Sequence, residues 1–178
     1  GFLFGLSSAL LLSFSPKTSS LLLPILVISQ AIPVFAIAPI LVLWLGYGMP
    51  SKILMAILII YFPVTAACYD GLRNTPQAWI DLAKTFNPSP WRLLLKVRLP
   101  AALPAFASGF RIAVSVAPIG AVIGEWVGSS EGLGYLMIHA NARMQVDLMF
   151  AALLILVVIS LCLYFSIDWL LRRFIWHV

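Results

Sequence analysis

The sequence predicts an all-α, polytopic membrane protein: one helical transmembrane domain over residues 1–178. Composition comes first, with 62% hydrophobic and only 10% charged residues over 178 positions, whereas a soluble domain carries about 25% charged residues. The second observation is a series of apolar runs, several near the roughly 20 residues a membrane-crossing helix needs. The third is that basic residues gather on alternate connections, as topology demands. There is room for four or five spans. The net charge of +5 therefore reports orientation in a bilayer, and nucleic acid is not an expected partner.

Taken in order, Gly1 to about Phe14 is apolar but shorter than a span. With no Met, no basic leader and no cleavage site before it, this reads as the truncated end of a span, with at least one more upstream. Ser15-Pro16-Lys17-Thr18-Ser19-Ser20 reads as a turn. Leu21 to Tyr47 holds Pro24, Pro33 and Pro39, which predicts a short helix, a break near Pro33 and a span ending at Gly46-Tyr47-Gly48-Met49-Pro50. Ile53 to Tyr69 spans next, with Pro63 inside it. A polar insert follows over about 75–100. Pro104 to about Trp126 spans again with Pro118 inside, an external Gly- and Ser-rich segment covers about 128–147, and Leu148 to Leu171 is the cleanest span.

If successive spans alternate, one side receives Lys17, Arg73, Lys84, Arg92, Lys96, Arg98, Arg172 and Arg173, and the other only Lys52 and Arg143. The basic side is cytoplasmic. The insert and the C-terminus are thus expected inside, and residues 128–147 outside.

The insert is punctuated like a small folded element. Thr75-Pro76 and Ser89-Pro90 each place a hydroxyl N-cap before a proline suited to the first helical position. Asn87 tolerates the left-handed conformation that ends a helix, and Pro88 forbids its continuation. Two short helices with a sharp corner are expected. Across Pro76–Phe86, Trp79, Leu82, Ala83 and Phe86 fall at i, i+3, i+4 and i+7, one apolar stripe opposed by Gln77, Asp81, Lys84 and Thr85. Such a helix rests on lipid headgroups or docks in a protein groove. It is short and weakly basic for a headgroup helix, which favours docking.

From Asp81 the chain reads Asp-Leu-Ala, three residues, Asn87, nine residues, then Val97-Arg98-Leu99-Pro100. This resembles the Glu-Ala-Ala, x3, Gly, x9, Ile-x-Leu-Pro signature of permease subunits of binding-protein-dependent ABC importers. Asp81 stands for the Glu, Leu82 and Ala83 for the alanines, Asn87 for the Gly and Val97 for the Ile. Ala31-Ile32-Pro33-Val34, Leu43-Trp44-Leu45-Gly46-Tyr47-Gly48 and Ser129-Ser130-Glu131-Gly132-Leu133-Gly134-Tyr135 extend the resemblance over the chain. It is similar to the branch importing nitrate, taurine, alkanesulfonates and a hydroxymethylpyrimidine precursor of thiamine. The stretches Gly124–Gly128 and Ala140–Gln145 look nearest the pyrimidine importers.

The resemblance implies a type I importer-like bundle in the bacterial cytoplasmic membrane, paired as a homodimer. A substrate-binding protein would dock outside and ATPase subunits inside. It also implies that Thr75, Pro76, Trp79, Asp81, Leu82, Ala83, Phe86, Asn87, Val97, Leu99 and Pro100 form the element that couples to the ATPase. No phosphate-binding G-x-x-x-x-G-K-[ST] loop occurs in the chain, so ATP hydrolysis is expected in a partner and the chain is not an enzyme.

Arg111 lies seven residues into the span expected from Pro104, roughly 10 Å along a helix. It either snorkels or pairs locally, or it borders the translocation path. Glu125 either ends its span in solvent or belongs to an external gate. His139 has no second ligand at metal spacing, so neither metal nor cofactor is expected. Cys68 and Cys162 lie in apolar runs and read as free thiols. Gly1/Gly5 and Gly120/Gly124 allow close helix approach, within the chain or between subunits. An ion-coupled secondary transporter would need a partnered intramembrane charge, and no carboxylate partner for Arg111 is evident. An intramembrane enzyme would need a nucleophile–base pair, and none is visible.

Overall fold

The computed structural model describes residues 1–14 and 16–175. They form α1 (Phe2–Phe14), α2 (Pro16–Ala31), α3 (Val34–Leu45), α4 (Met49–Arg73), α5 (Gln77–Lys84), α6 (Pro90–Leu93), a π turn (Leu94–Arg98), α7 (Leu99–Gly128), α8 (Leu133–Ala142) and α9 (Val146–Ile175). Three stretches are long and apolar enough to cross a membrane: Met49–Arg73, Pro90–Gly128 and Val146–Arg173. The bent pair α2–α3, turning by 90° at its break, would make a fourth, and Phe2–Ser13 is a shorter apolar helix. The described residues thus supply three or four spans, where composition left room for four or five.

α4 and α7 form the heart of the bundle, and small residues bring them together. A Cβ on Gly71 would meet Ala105 and Ala102, one on Gly109 would meet Ala67, and one on Gly120 would meet the backbone of Ala56. As the α4 partner falls from 71 to 56, the α7 partner rises from 102 to 120, so the helices run antiparallel. Lipid gives helices no hydrophobic reason to associate, so this close backbone approach supplies the packing. α1 lies parallel to α4: Gly1 abuts Ile60, Gly5 abuts Val64, and Tyr61 Oη donates to Ser8 Oγ at 3.0 Å. Both small-residue spacings seen in the sequence, Gly1/Gly5 and Gly120/Gly124, therefore serve packing on α4 within the chain.

The break at Pro33 is where the sequence places it, and α3 ends at Gly46, whose φ of 78° suits glycine. Three expectations are corrected. Residues 16–20 are not a turn but the start of α2: proline at the first helical position starts a helix as readily as it stops one, and the apolar run behind it carries the helix. Ser15 and the side chain of Lys17 lie outside the described residues.

The second insert helix is not a short one either. α6 passes through the π turn straight into α7, giving one 39-residue helix, Pro90–Gly128, instead of a span beginning at Pro104. Pro100 would collide with the carbonyl four residues back, but that residue, Lys96, lies in the widened π turn. Thr75, finally, does not cap α5. Pro76 is extended (φ −52°, ψ 127°), α5 begins at Gln77, and the Thr75 hydroxyl turns back to donate to the Leu72 carbonyl at 3.2 Å.

Candidate functional site

The insert is built around a corner. Thr85, Phe86 and Asn87 each donate to the carbonyl three residues back, tightening the end of α5, and Asn87 then takes φ 46°. Asn reaches this left-handed region through local side-chain hydrogen bonding that most residues lack. Ser89 caps the next helix as the sequence predicts, its Oγ accepting from the Arg92 N–H at 3.4 Å, with Pro90 behind it.

Ile80 is the anchor of α5, buried to 6% exposure. The sequence reading passed over it because it lies off the Trp79 stripe. A lone isoleucine about 100° round the helix from such a stripe is itself a signal that a helix has one face for its own chain and another for something else. On that other face Trp79, Leu82 and Phe86 are 54%, 65% and 81% exposed. Ala83 is half-buried between the two faces. Asp81 is exposed and engaged within its own helix, accepting from Gln77 Nε2 at 2.9 Å and facing Lys84 Nζ at 3.3 Å.

The remaining motif residues divide in the same way. Thr75 is buried against the end of α4, while Pro76 and Pro100 are exposed. Val97 is half-buried in the π turn, and Leu99 packs on the cluster of Leu72, Leu94 and Ala102. The Leu-Pro end of the motif thus fixes the insert to the bundle, and the Asp-Leu-Ala end presents it.

Arg111 has a partner that the sequence reading missed. Its Nε donates to Asp168 Oδ1 at 2.6 Å, and Arg172 Nε donates to Asp168 Oδ2 at 2.8 Å. This joins α7 to α9 near the insert end of the bundle. Asp168 four residues before Arg172, in an otherwise apolar helix, was the available signal. Glu125 is not a solvated end. Its Oε2 accepts from the Gly134 N–H at 2.6 Å, so it caps α8 from α7, where the positive end of the helix dipole favours a carboxylate. Gly132, at φ 117°, passes so close to this carboxylate that a Cβ there would collide with it.

At that same end, Lys52 Nζ donates to Ser129 Oγ at 2.7 Å, tying α4 to the start of the Gly- and Ser-rich segment. His139 packs against Tyr135 with the rings tilted by 55° and their centroids 4.1 Å apart. The described residues contain no cluster of three or more metal-ligating side chains.

An all-helical bundle of long apolar helices, with a folded polar insert at one end, is the architecture of a multi-pass membrane subunit. The chain belongs to the family of inner membrane components of binding-protein-dependent transport systems, whose model matches residues 1–176. It is a non-catalytic permease subunit, in a class whose ATPase is a separate chain. Membership decides against the ion-coupled transporter and the intramembrane enzyme.

A probable ABC transporter permease protein of Haemophilus influenzae is 89% identical over the whole chain, which covers 73% of that protein. The formylaminopyrimidine transport permease ThiX of Halalkalibacterium halodurans is 43% identical over 74% of this chain and 52% of its own length. The riboflavin transport system permease RibX of Chloroflexus aurantiacus is 41% identical over 80% of this chain and 53% of its own. The chain thus spans about half the length of these last two relatives. The fold matches that of a chain in the inward-facing MetNI methionine ABC transporter, with a TM-score of 0.82 over 97% of this chain and 86% of that one, at 21% identity.

Proposed function

We propose that this chain forms half of the translocation path of an ATP-driven importer for a hydroxymethylpyrimidine-type thiamine precursor. In this assignment two copies pair, a binding protein delivers solute from outside, and an ATPase grips the insert over Thr75–Pro100 from the cytoplasm. The observation that carries it is the exposed Trp79–Leu82–Phe86 face, held on a helix anchored by Ile80 and turned by left-handed Asn87. ATP-driven closure of the ATPases brings the two inserts together and switches the bundles between inward- and outward-facing states. Arg111 and Glu125 mark the two ends of the path, the first held by Asp168. Glu125 also lines a cavity of about 310 Å³ with Pro118, Leu133 and Leu156.

The substrate is supported by the wording of Gly124–Gly128 and Ala140–Gln145 and by the likeness to a formylaminopyrimidine permease. Sulfonate and taurine permeases are more remote, at 34% and 31% identity. Reconstitution of the full-length protein in liposomes with its ATPase and binding protein tests this. ATP-dependent uptake of labelled hydroxymethylpyrimidine, unaffected by excess taurine, is the expected result. Uptake of taurine, an alkanesulfonate or riboflavin in its place would overturn the substrate, and no ATP-dependent uptake of any of these would count against the assignment itself.

A further inference from the structure

At the insert end of the bundle, α1, α2, α4 and the π turn line an open cavity of about 510 Å³. Ser13, Ser19 and Ser20 line it together with Arg73 and Arg98, over an apolar wall that includes Leu23, and among the described residues no acid borders it. Among the described residues, the ion pairs of basic side chains are those of Lys84, Arg111 and Arg172, so neither arginine of the cavity has a carboxylate within 4 Å. Arg98 Nε is buried with no hydrogen-bond partner. A buried guanidinium donor left unpaired is costly, and two guanidinium groups on one cavity suit a phosphate.

The depth is also right for a lipid. Arg73 is the last residue of the apolar stretch Met49–Arg73, which puts it at headgroup level. A second cavity of about 210 Å³ adjoins the first, sharing Leu12, Leu23 and Tyr69 and continuing along Leu26, Val27 and Phe62. Asp70, the one acid near by, lies on this second cavity. A charged socket beside an apolar groove fits a headgroup with an acyl chain attached, whereas a free phosphate would leave the groove unfilled.

We propose that these adjoining cavities together hold one anionic phospholipid, its phosphate between Arg73 and Arg98 and an acyl chain along Leu26 and Phe62. The test is thermal unfolding of the delipidated full-length protein in uncharged detergent, titrated with dioleoyl phosphatidylglycerol, dioleoyl phosphatidylcholine or inorganic phosphate. Phosphatidylglycerol should raise the midpoint of the wild type. The half-saturating concentration should rise about tenfold, the equivalent of about 1.4 kcal/mol, in Arg73→Gln/Arg98→Gln, and Arg73→Lys/Arg98→Lys should recover part of the loss. Leu26→Trp keeps both arginines while filling the groove, so it decides the matter if the Gln pair does not fold, and it should abolish the response. Equal shifts with phosphatidylcholine, or an unchanged phosphatidylglycerol response in the Gln or Trp variants, would overturn the proposal. The same shift with inorganic phosphate alone would overturn the lipid and leave a soluble phosphate as the ligand.

Discussion

Arg111 and Asp168 are 57 positions apart in sequence and 2.6 Å apart in space, and the carboxylate is shared with Arg172. The Arg111 and Asp168 side chains are only 28% and 15% exposed, so removing the acid leaves a guanidinium that is poorly placed to find a substitute. Asp168→Asn should lower stability in detergent by about 2 kcal/mol, somewhat less than a fully buried pair would lose. Arg111→Met/Asp168→Leu should recover most of that, because deleting both partners removes the unpaired charge. Unfolding midpoints of the three proteins check this, and a double variant as unstable as the single would show that packing, not charge, is what α7 and α9 lose.

The corner at Asn87 gives a second expectation. A β-branched residue cannot hold φ 46° without strain, so Asn87→Val should cost about 1–2 kcal/mol locally and turn α5 away from α6. Uptake should fall while the amount of protein in the membrane is unchanged. Asn87→Gly should transport normally. Full uptake by a well-expressed Asn87→Val protein would show that the corner is dispensable.

Phe86 distinguishes a docking face from one that lies on lipid. It is 81% exposed in the single chain, so Phe86→Asp should not disturb the fold. Against an ATPase groove it would bury an unpaired carboxylate, costing several kcal/mol, and the ATPase should no longer co-purify. Equal recovery of the ATPase with wild type and variant would remove this face from the interface.

Orientation can be read directly. Ser89 and Ser130 are both exposed and belong to opposite ends of the bundle. With Cys68 and Cys162 replaced by alanine, Ser89→Cys should react with a membrane-impermeant maleimide only from the cytoplasm, and Ser130→Cys only from outside. Labelling of both from one face would refute the alternating topology.

Much of this architecture was legible because lipid forces it: each long apolar run became a helix, Pro33 broke one, and Asn87 and Ser89 took the conformations their side chains favour. The failures have physical causes. Pro100 and Pro104 read as helix boundaries, yet the π turn at Leu94–Arg98 absorbs the first, and nothing in the residue types marks a π turn. Met144 closes α8 at φ 59°, a conformation that methionine gives no hint of adopting. Asp168 and Glu125 carry contacts whose partners lie on other helices. A carboxylate's identity tells that it needs a donor, but only the packing of α7 on α8 and α9 tells which one.

The unbroken helix from Pro90 to Gly128 has a mechanical consequence. At 39 residues it is about 58 Å long, roughly twice the hydrocarbon thickness of a bilayer, with Ser89 at one tip and Glu125 near the other. The π turn is one soft place, close to the Ser89 tip, and Pro104 and Pro118 inside the rod each remove a backbone hydrogen bond and so add another. With both prolines held straight, a tilt of about 5° pivoting at the π turn would carry the Glu125 end sideways by about 4 Å, more than the reach of the hydrogen bond that clasps it to Gly134. Motion of the short arm therefore reaches the clasp on α8 through Pro104 and Pro118, and how stiffly those two joints hold decides how much of it arrives.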